Sequence, residues 1–184
     1  MSDLYVYMFC SRNKDNKDVP GFKQRTKIIL EYKENGDKVI ENYKDFVAKG
    51  VSGEKTRLYR SVNSRNEEKI REALTIRLIK DKPSMTNINS VLTSVAMQKE
   101  NRDENKWLFD FDIDDEEKVE DFIDDIYFYS ELNIDSHELH KTPHGYAIVV
   151  PHGFDTRDLF EKWEAYDITL KKDDLLFINI LTNK

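Results

Sequence analysis

Several features of secreted and membrane proteins are missing from this sequence. Its one cysteine, Cys10, excludes an intramolecular disulfide and is typical of a reducing compartment. No apolar run approaches the roughly 18–20 residues that span a membrane, and the first residues lack the basic and apolar regions of a signal peptide. We therefore expect a cytoplasmic protein without membrane association.

The common signatures of cofactor-dependent and hydrolytic enzymes are also missing. The chain has no Gly-x-x-x-x-Gly-Lys-Ser phosphate loop and no Ser/His/Asp order typical of a hydrolase. Its histidines match no zinc-binding spacing; they are His137, His140, His144 and His152. If the protein is an enzyme, its chemistry must come from another set of residues.

Basic residues are outnumbered, but they are unevenly distributed. The net charge of −7 argues against broad binding to duplex nucleic acid, which needs a basic surface. Residues 55–82 are nevertheless rich in Lys and Arg, whereas residues 110–125 are densely acidic. A basic surface beside an acidic site is compatible with this uneven distribution of charge.

At 184 residues the chain is most simply one domain with room for a core.

The acidic stretch begins directly after an apolar strand, Trp107-Leu-Phe109. Side chains alternate between the faces of a strand, so Asp110, Asp112 and Asp114 share one face if the strand continues that far. Their repulsion is relieved by a divalent cation, and hard oxygen ligands suit Mg²⁺, Mn²⁺ or Ca²⁺. The stretch therefore predicts a metal site.

Hydrophobic periodicity predicts a mixed fold. The expected strands are 4–10, 26–33, 56–63, 106–113, 134–141, 145–151 and 175–180, and the expected helices are 67–80, 86–99, 115–130 and 156–164, with a short helix possible at 38–48. From residue 106 onward the order is β-α-β-β-α-β, closed by the strand at 175–180. We expect an α+β protein with an RRM-like or ferredoxin-like antiparallel sheet covered by helices. An N-terminal β-rich part, residues 1–54, extends this core of residues 55–181 within one domain.

The order of four short motifs resembles the archaeo-eukaryotic primase superfamily, and more narrowly the small primase-polymerase-like proteins of bacteriophages. The motifs are Arg57-Leu-Tyr59, Asp110-x-Asp112, Thr142-Pro-His-Gly-Tyr-Ala147 and Leu175-Leu-Phe177. The resemblance covers residues 55–181. It implies a metal-dependent nucleotidyltransferase acting on nucleotides and a DNA or RNA template, in the host cytoplasm if the protein is viral.

The resemblance also implies roles for individual carboxylates. Asp110 and Asp112 would hold Mg²⁺ or Mn²⁺ with a later carboxylate, for which we expect Asp167, with Asp173 and Asp174 as alternatives. The reaction would be attack of a 3′-hydroxyl on an α-phosphate, with metals stabilising the entering and leaving oxygens.

Nucleotide contacts are expected from the Arg57 strand and from the hairpin. Arg57 and Arg60 would bind phosphates through their guanidinium groups, and Tyr59 would stack on a base or sugar. Gly145 and Tyr146 belong to the hairpin motif, in which glycine permits close approach to a ligand.

The hairpin departs from the family at its catalytic histidine. That histidine would follow Gly145-Tyr146, where this chain has Ala147, and His144 is the candidate to replace it. Two other hypotheses therefore stay open: an RRM-like protein that binds nucleotide or nucleic acid without turnover, and a phage protein that acts by binding a host protein.

Overall fold

The computed structural model describes residues 3–133 and 136–184, which form eight strands and five α-helices. The strands are β1 Leu4–Ser11, β2 Arg25–Tyr32, β3 Lys55–Ser61, β4 Trp107–Phe111, β5 Glu138–Lys141, β6 Tyr146–Val150, β7 Ile168–Lys171 and β8 Leu175–Thr182. The helices are α1 Gly36–Ala48, α2 Glu67–Asp81, α3 Ile88–Ala96, α4 Glu116–Tyr129 and α5 Arg157–Lys162. The protein is α+β, with two four-stranded antiparallel sheets.

The first sheet has the order β2-β1-β3-β8 and carries helices on both faces. Alternation along β1 separates two apolar sets. Tyr5, Tyr7 and Phe9 pack with Tyr43 and other residues of α1, whereas Leu4 and Val6 of β1 pack against α2 and α3. The central strand β1 is therefore buried on both sides.

The second sheet has the order β5-β6-β4-β7 and is covered by helices on one face. Phe109 and Phe111 of β4 point to this face and pack against Phe122 of α4. Trp163, just after α5, meets the same Phe122 ring edge-on with ring centroids 5.2 Å apart. The even-numbered residues of β4 consequently point to the opposite face, on which none of the described helices packs.

That open face of the second sheet meets the first sheet. A small apolar cluster joins them: Leu108, Ala147 and Val149 from the second sheet pack with Val62 and Leu176, which lie just after β3 and in β8. All five are nearly inaccessible to solvent. The two sheets therefore form one packed structure, and the face of β4 that carries Asp110 points into their junction.

Most predicted elements are present, with one error of topology. The strand predicted to close the β-α-β-β-α-β unit was 175–180, but that segment pairs with β3 in the first sheet. This prediction is wrong because β7, which was not predicted, takes the position beside β4. Residues 168–171 alternate apolar and polar side chains and residues 175–178 are all apolar, so both segments can form strands, and tertiary packing decides which of them pairs with β4.

The predicted boundary between the N-terminal part, residues 1–54, and the core, residues 55–181, does not coincide with the boundary between the two sheets. Strands β3 and β8 belong to the 55–181 segment, yet they complete the sheet that begins with β1 and β2. The strand predicted at 134–141 is described only from residue 136, and β5 begins at 138; residues 134 and 135 lie outside the described part. Among the helices described, none has the length and apolar character needed to cross a membrane.

Candidate active site between the two sheets

A cavity of about 180 Å³ lies where the two sheets meet. It is open to solvent on one side, and its walls come from distant parts of the sequence. Its lining consists of Arg12, Lys14, Arg57, Tyr59, Leu108, Asp110, Asp112, Thr142, Pro143, His144, Ala147, Lys171, Leu175 and Phe177. All four motifs of the predicted site contribute to it.

Asp110 and Asp112 form the acidic wall of the cavity. Asp110 is in register with Ala147 of β6 on one side and with Thr169 of β7 on the other. Asp112 follows the end of β4, and its backbone N–H donates to the carbonyl oxygen of Asp167 at 3.1 Å. This bond extends the β4–β7 pairing beyond the strand, so both carboxylates stay on the predicted common face.

Lys171 supplies a cation directly beside Asp110. Its Nζ lies 2.7 Å from Asp110 Oδ2 and 3.8 Å from Asp174 Oδ2. Burial of the ammonium group lowers the pKa of Lys171, but the hydrogen bond to Asp110 and the charges of three nearby aspartates outweigh it, so the pKa is raised. The Lys171 side chain is therefore protonated at neutral pH.

The candidates for a third carboxylate lie in different surroundings. Asp167 is exposed and its residue is not part of the cavity lining. Asp173 accepts two bonds from the buried guanidinium of Arg65 and one from Asn63, so its oxygens are already used. Asp174 lies near Lys171, with 3.8 Å between its Oδ2 and the lysine Nζ. In residues 3–133 and 136–184 we find no group of three acidic, His or Cys side chains placed to share a metal.

Two arginines form the basic wall opposite. Both arginines form bidentate hydrogen bonds with Asp15. Arg57 donates to the two carboxylate oxygens at 2.8 and 2.6 Å, and Arg12 donates to the same two oxygens at 2.9 and 3.2 Å. Burial raises the pKa of Asp15, but these hydrogen bonds and charges prevail and hold it below the ordinary 3.8. One carboxylate faces two guanidinium groups, so this cluster keeps a net positive charge.

An aromatic pair lies next to the basic wall. Tyr59 and Phe177 meet edge-on with their ring centroids 5.9 Å apart, and both line the cavity. Arg60, predicted beside them, points to the other face of β3, because successive strand side chains alternate. Its guanidinium lies 4.6 Å above the ring of Tyr5, outside the cavity lining.

The hairpin between β5 and β6 places His144 at the rim. His144 is exposed and lines the cavity. Gly145 is required here because a Cβ would lie 2.0 Å from the carbonyl oxygen of Phe111, so the close approach is to β4 and not to a ligand. Tyr146 packs on the helix-covered side. Ala147 is buried at the cavity floor beside Asp110.

The donor set suits a magnesium ion shared with a phosphate ligand. Mg²⁺ is usually held by one or two carboxylates together with water and substrate phosphates, without a complete protein cage. Asp110 and Asp112 provide such a pair, and the basic wall provides phosphate-binding groups. The cavity is smaller than the roughly 300–1,000 Å³ of typical ligand pockets, so it can enclose only part of a nucleotide.

Three lining residues were not identified from the sequence: Arg12, Lys14 and Lys171. Arg12 and Lys14 lie just after β1, at the start of and within the short 3-10 helix Asn13–Asp15, where the sequence has no motif. The alternation Ile168-Thr-Leu170-Lys171 was a usable signal, because it predicts a short strand with Thr169 and Lys171 on one face.

No family model, curated protein or solved structure matches the chain.

Proposed function

We propose that this protein is a metal-dependent nucleotidyltransferase resembling the phage primase-polymerases, which adds nucleotides to a 3′-hydroxyl. The observation that supports it is the convergence at one cavity of Arg57, Tyr59, Asp110, Asp112 and His144. These residues were selected from motifs up to 87 positions apart, and nothing local in the sequence requires them to meet.

The second sheet is further support for the proposal. Its β-α-β-β-α-β connection and its antiparallel order β5-β6-β4-β7 are what we expect of an RRM-like unit. In this proposal the helix-free face of that unit carries the chemistry, and the first sheet closes over it. The likeness of the second sheet to an RRM-like unit rests on its strand order and connections.

Each wall of the cavity has a role in the proposed reaction. Asp110 and Asp112 would hold Mg²⁺ or Mn²⁺, while Arg12, Lys14 and Arg57 would bind the triphosphate. The chemistry supplied by the bound cation is neutralisation of charge on the α-phosphate and on the entering and leaving oxygens. Because Asp15 fixes both guanidinium groups in advance, less side-chain entropy is lost when phosphate binds.

The remaining lining groups would position the substrate. The Tyr59–Phe177 pair offers an aromatic surface for the sugar or base of the nucleotide. His144 lies at the rim, where an imidazole can donate a hydrogen bond to a phosphate oxygen. A DNA or RNA template would approach from the open side of the cavity.

A second candidate function is nucleotide binding without turnover. Two observations favour it: Ala147 lies beside Asp110 where the family has its histidine, and Lys171 is already paired with Asp110. Neither prevents a phosphate ligand from binding at the basic wall. Both reduce the polar groups available for catalysis, so the two functions must be separated by experiment.

The test is extension of a labelled primer on a template with Mn²⁺ and either NTPs or dNTPs. We expect the wild type to extend the primer and the Asp110→Asn, Asp112→Asn double variant to lose the product. Glu120→Gln, Asp124→Asn is the matched control, since it removes the same charge from exposed positions of α4.

Absence of a product that depends on Asp110 and Asp112 would refute turnover. Calorimetry with ATP then decides what is left. Binding weakened by Arg12→Gln supports the second candidate, whereas absence of nucleotide binding would leave only the hypothesis of a phage protein that binds a host protein.

A further inference from the structure

Lys171 places a cation within the acidic wall, beside Asp110. It lies opposite Leu108 in the β4–β7 pairing, so it shares a face with Asp110 and stands diagonally from it. The 2.7 Å contact between Lys171 Nζ and Asp110 Oδ2 uses one of the oxygens that a metal would need. This neighbour was not part of any motif in the sequence.

The backbone that carries Lys171 is held in place on both sides. Strand β7 pairs with β4 up to Lys171, and the following turn is fixed by Asp173, which accepts from Arg65 at 2.9 and 3.0 Å. The carbonyl oxygen of Asp174 accepts from the Val62 backbone at 2.9 Å. Only the flexible stem of Lys171, whose side chain is 32% exposed, is free to change direction.

We propose, building on the proposed function, that Lys171 and the divalent cation compete for Asp110. When Asp110 takes the cation, the ammonium group turns to the phosphates of the bound nucleotide. Two cations at one carboxylate repel each other, so a metal at Asp110 favours a Lys171 that has moved away. Lys171 lines the same cavity as Arg12 and Arg57 of the basic wall, beside which the phosphates would lie.

This competition predicts effects of opposite sign on two ligands. Removing the ammonium group frees Asp110, so the metal binds more tightly. It also removes a positive charge from the cavity and leaves the Asp110 carboxylate without its cation, so a nucleotide without metal is repelled more and binds more weakly. A residue that only stabilises the fold would weaken both or neither.

The experiment compares Lys171→Met with Lys171→Arg and with Lys172→Met. Lys172 is the matched control because its ammonium lies 4.6 Å above the ring of Trp107 and it does not line the cavity. Free Mn²⁺ is titrated by electron paramagnetic resonance without nucleotide, and ATP is titrated by calorimetry in EDTA. A urea unfolding midpoint is measured for each variant, and Lys171→Gln is the second variant if the Met variant does not fold.

We expect Lys171→Met to tighten Mn²⁺ binding at least about fivefold, the lower end of coupling between interacting sites, and to weaken ATP by a similar factor. Lys171→Arg and Lys172→Met should resemble the wild type. Equal Mn²⁺ affinity for Lys171→Met and Lys172→Met overturns the inference. If that Mn²⁺ binding is lost in Asp110→Asn, Asp112→Asn, the proposed metal site survives; if neither the wild type nor Lys171→Met binds Mn²⁺ through these carboxylates, the proposed function fails as well.

Discussion

Asp173 offers the sharpest test of how the junction is held together. Its two oxygens accept from both terminal nitrogens of Arg65, whose side chain has no solvent exposure, and a third bond comes from Asn63 at 3.0 Å. Arg65 Nε has no partner within the described residues, so it offers no alternative anchor. The change Asp173→Ala would leave a buried guanidinium group without a carboxylate.

Removing one member of a buried ion pair costs about 3–5 kcal/mol, because the other charge stays desolvated and unpaired. With a urea dependence of about 2 kcal/mol per molar, a loss of about 4 kcal/mol lowers the unfolding midpoint by about 2 M. That loss is a large fraction of the roughly 5–15 kcal/mol that stabilises a typical domain.

The assay is urea unfolding followed by tryptophan fluorescence and circular dichroism. Arg77→Met is the matched control, because the Arg77–Asp81 pair is exposed on α2 and its loss should leave the midpoint nearly unchanged. The double variant Arg65→Met, Asp173→Leu should recover most of the stability, since both charges are then absent. A midpoint shift below about 0.5 M for Asp173→Ala would refute the reasoning.

Three further predictions concern single contacts. Gly145→Ala should destabilise the protein by at least about 1–3 kcal/mol in urea unfolding, because a Cβ there collides with β4, whereas Gly36→Ala, with open space at the start of α1, should be neutral or stabilising. Tyr43→Phe should cost about 1–3 kcal/mol in the same assay, because the buried hydroxyl donates to the Thr56 carbonyl at 2.6 Å and burial raises its pKa to about 12. The pKa of Asp15 is below 3.8 in the folded protein, so its stabilising contribution is complete above that pH and is lost as the pH falls below it. Asp15→Asn should therefore flatten the acid side of the curve of unfolding free energy against pH. An unchanged slope would contradict this.

Local signals in the sequence were sufficient for most elements. Asn66 immediately precedes the helix predicted at 67–80, and its side chain accepts from the backbone of Lys69 at 2.9 Å at the start of α2. Asp115 is the first residue of the helix predicted at 115–130, and its side chain accepts in the same way from the backbone of Lys118 at the start of α4. These contacts span three residues, so the sequence order alone brings the partners together.

The site was only partly predictable, because some of its charged residues lie in segments without a motif. Asp110 and Asp112 were placed on one face by strand alternation, which is a local property. Arg12 and Lys171 approach the same cavity only because β1 and β7 take particular neighbours in their sheets. Register across strands is set by packing of whole faces, which a single sequence does not reveal.

The sequence by itself determined that this chain is an α+β protein with an acidic strand end at Asp110 and Asp112. Periodicity and capping act over a few residues, so they could be identified without coordinates. The tertiary structure decided that β8 completes the first sheet and not the second, and that the two sheets meet beside the carboxylates. It also placed Lys171 beside Asp110, because the choice between β7 and β8 as the neighbour of β4 depends on burial of non-local apolar faces.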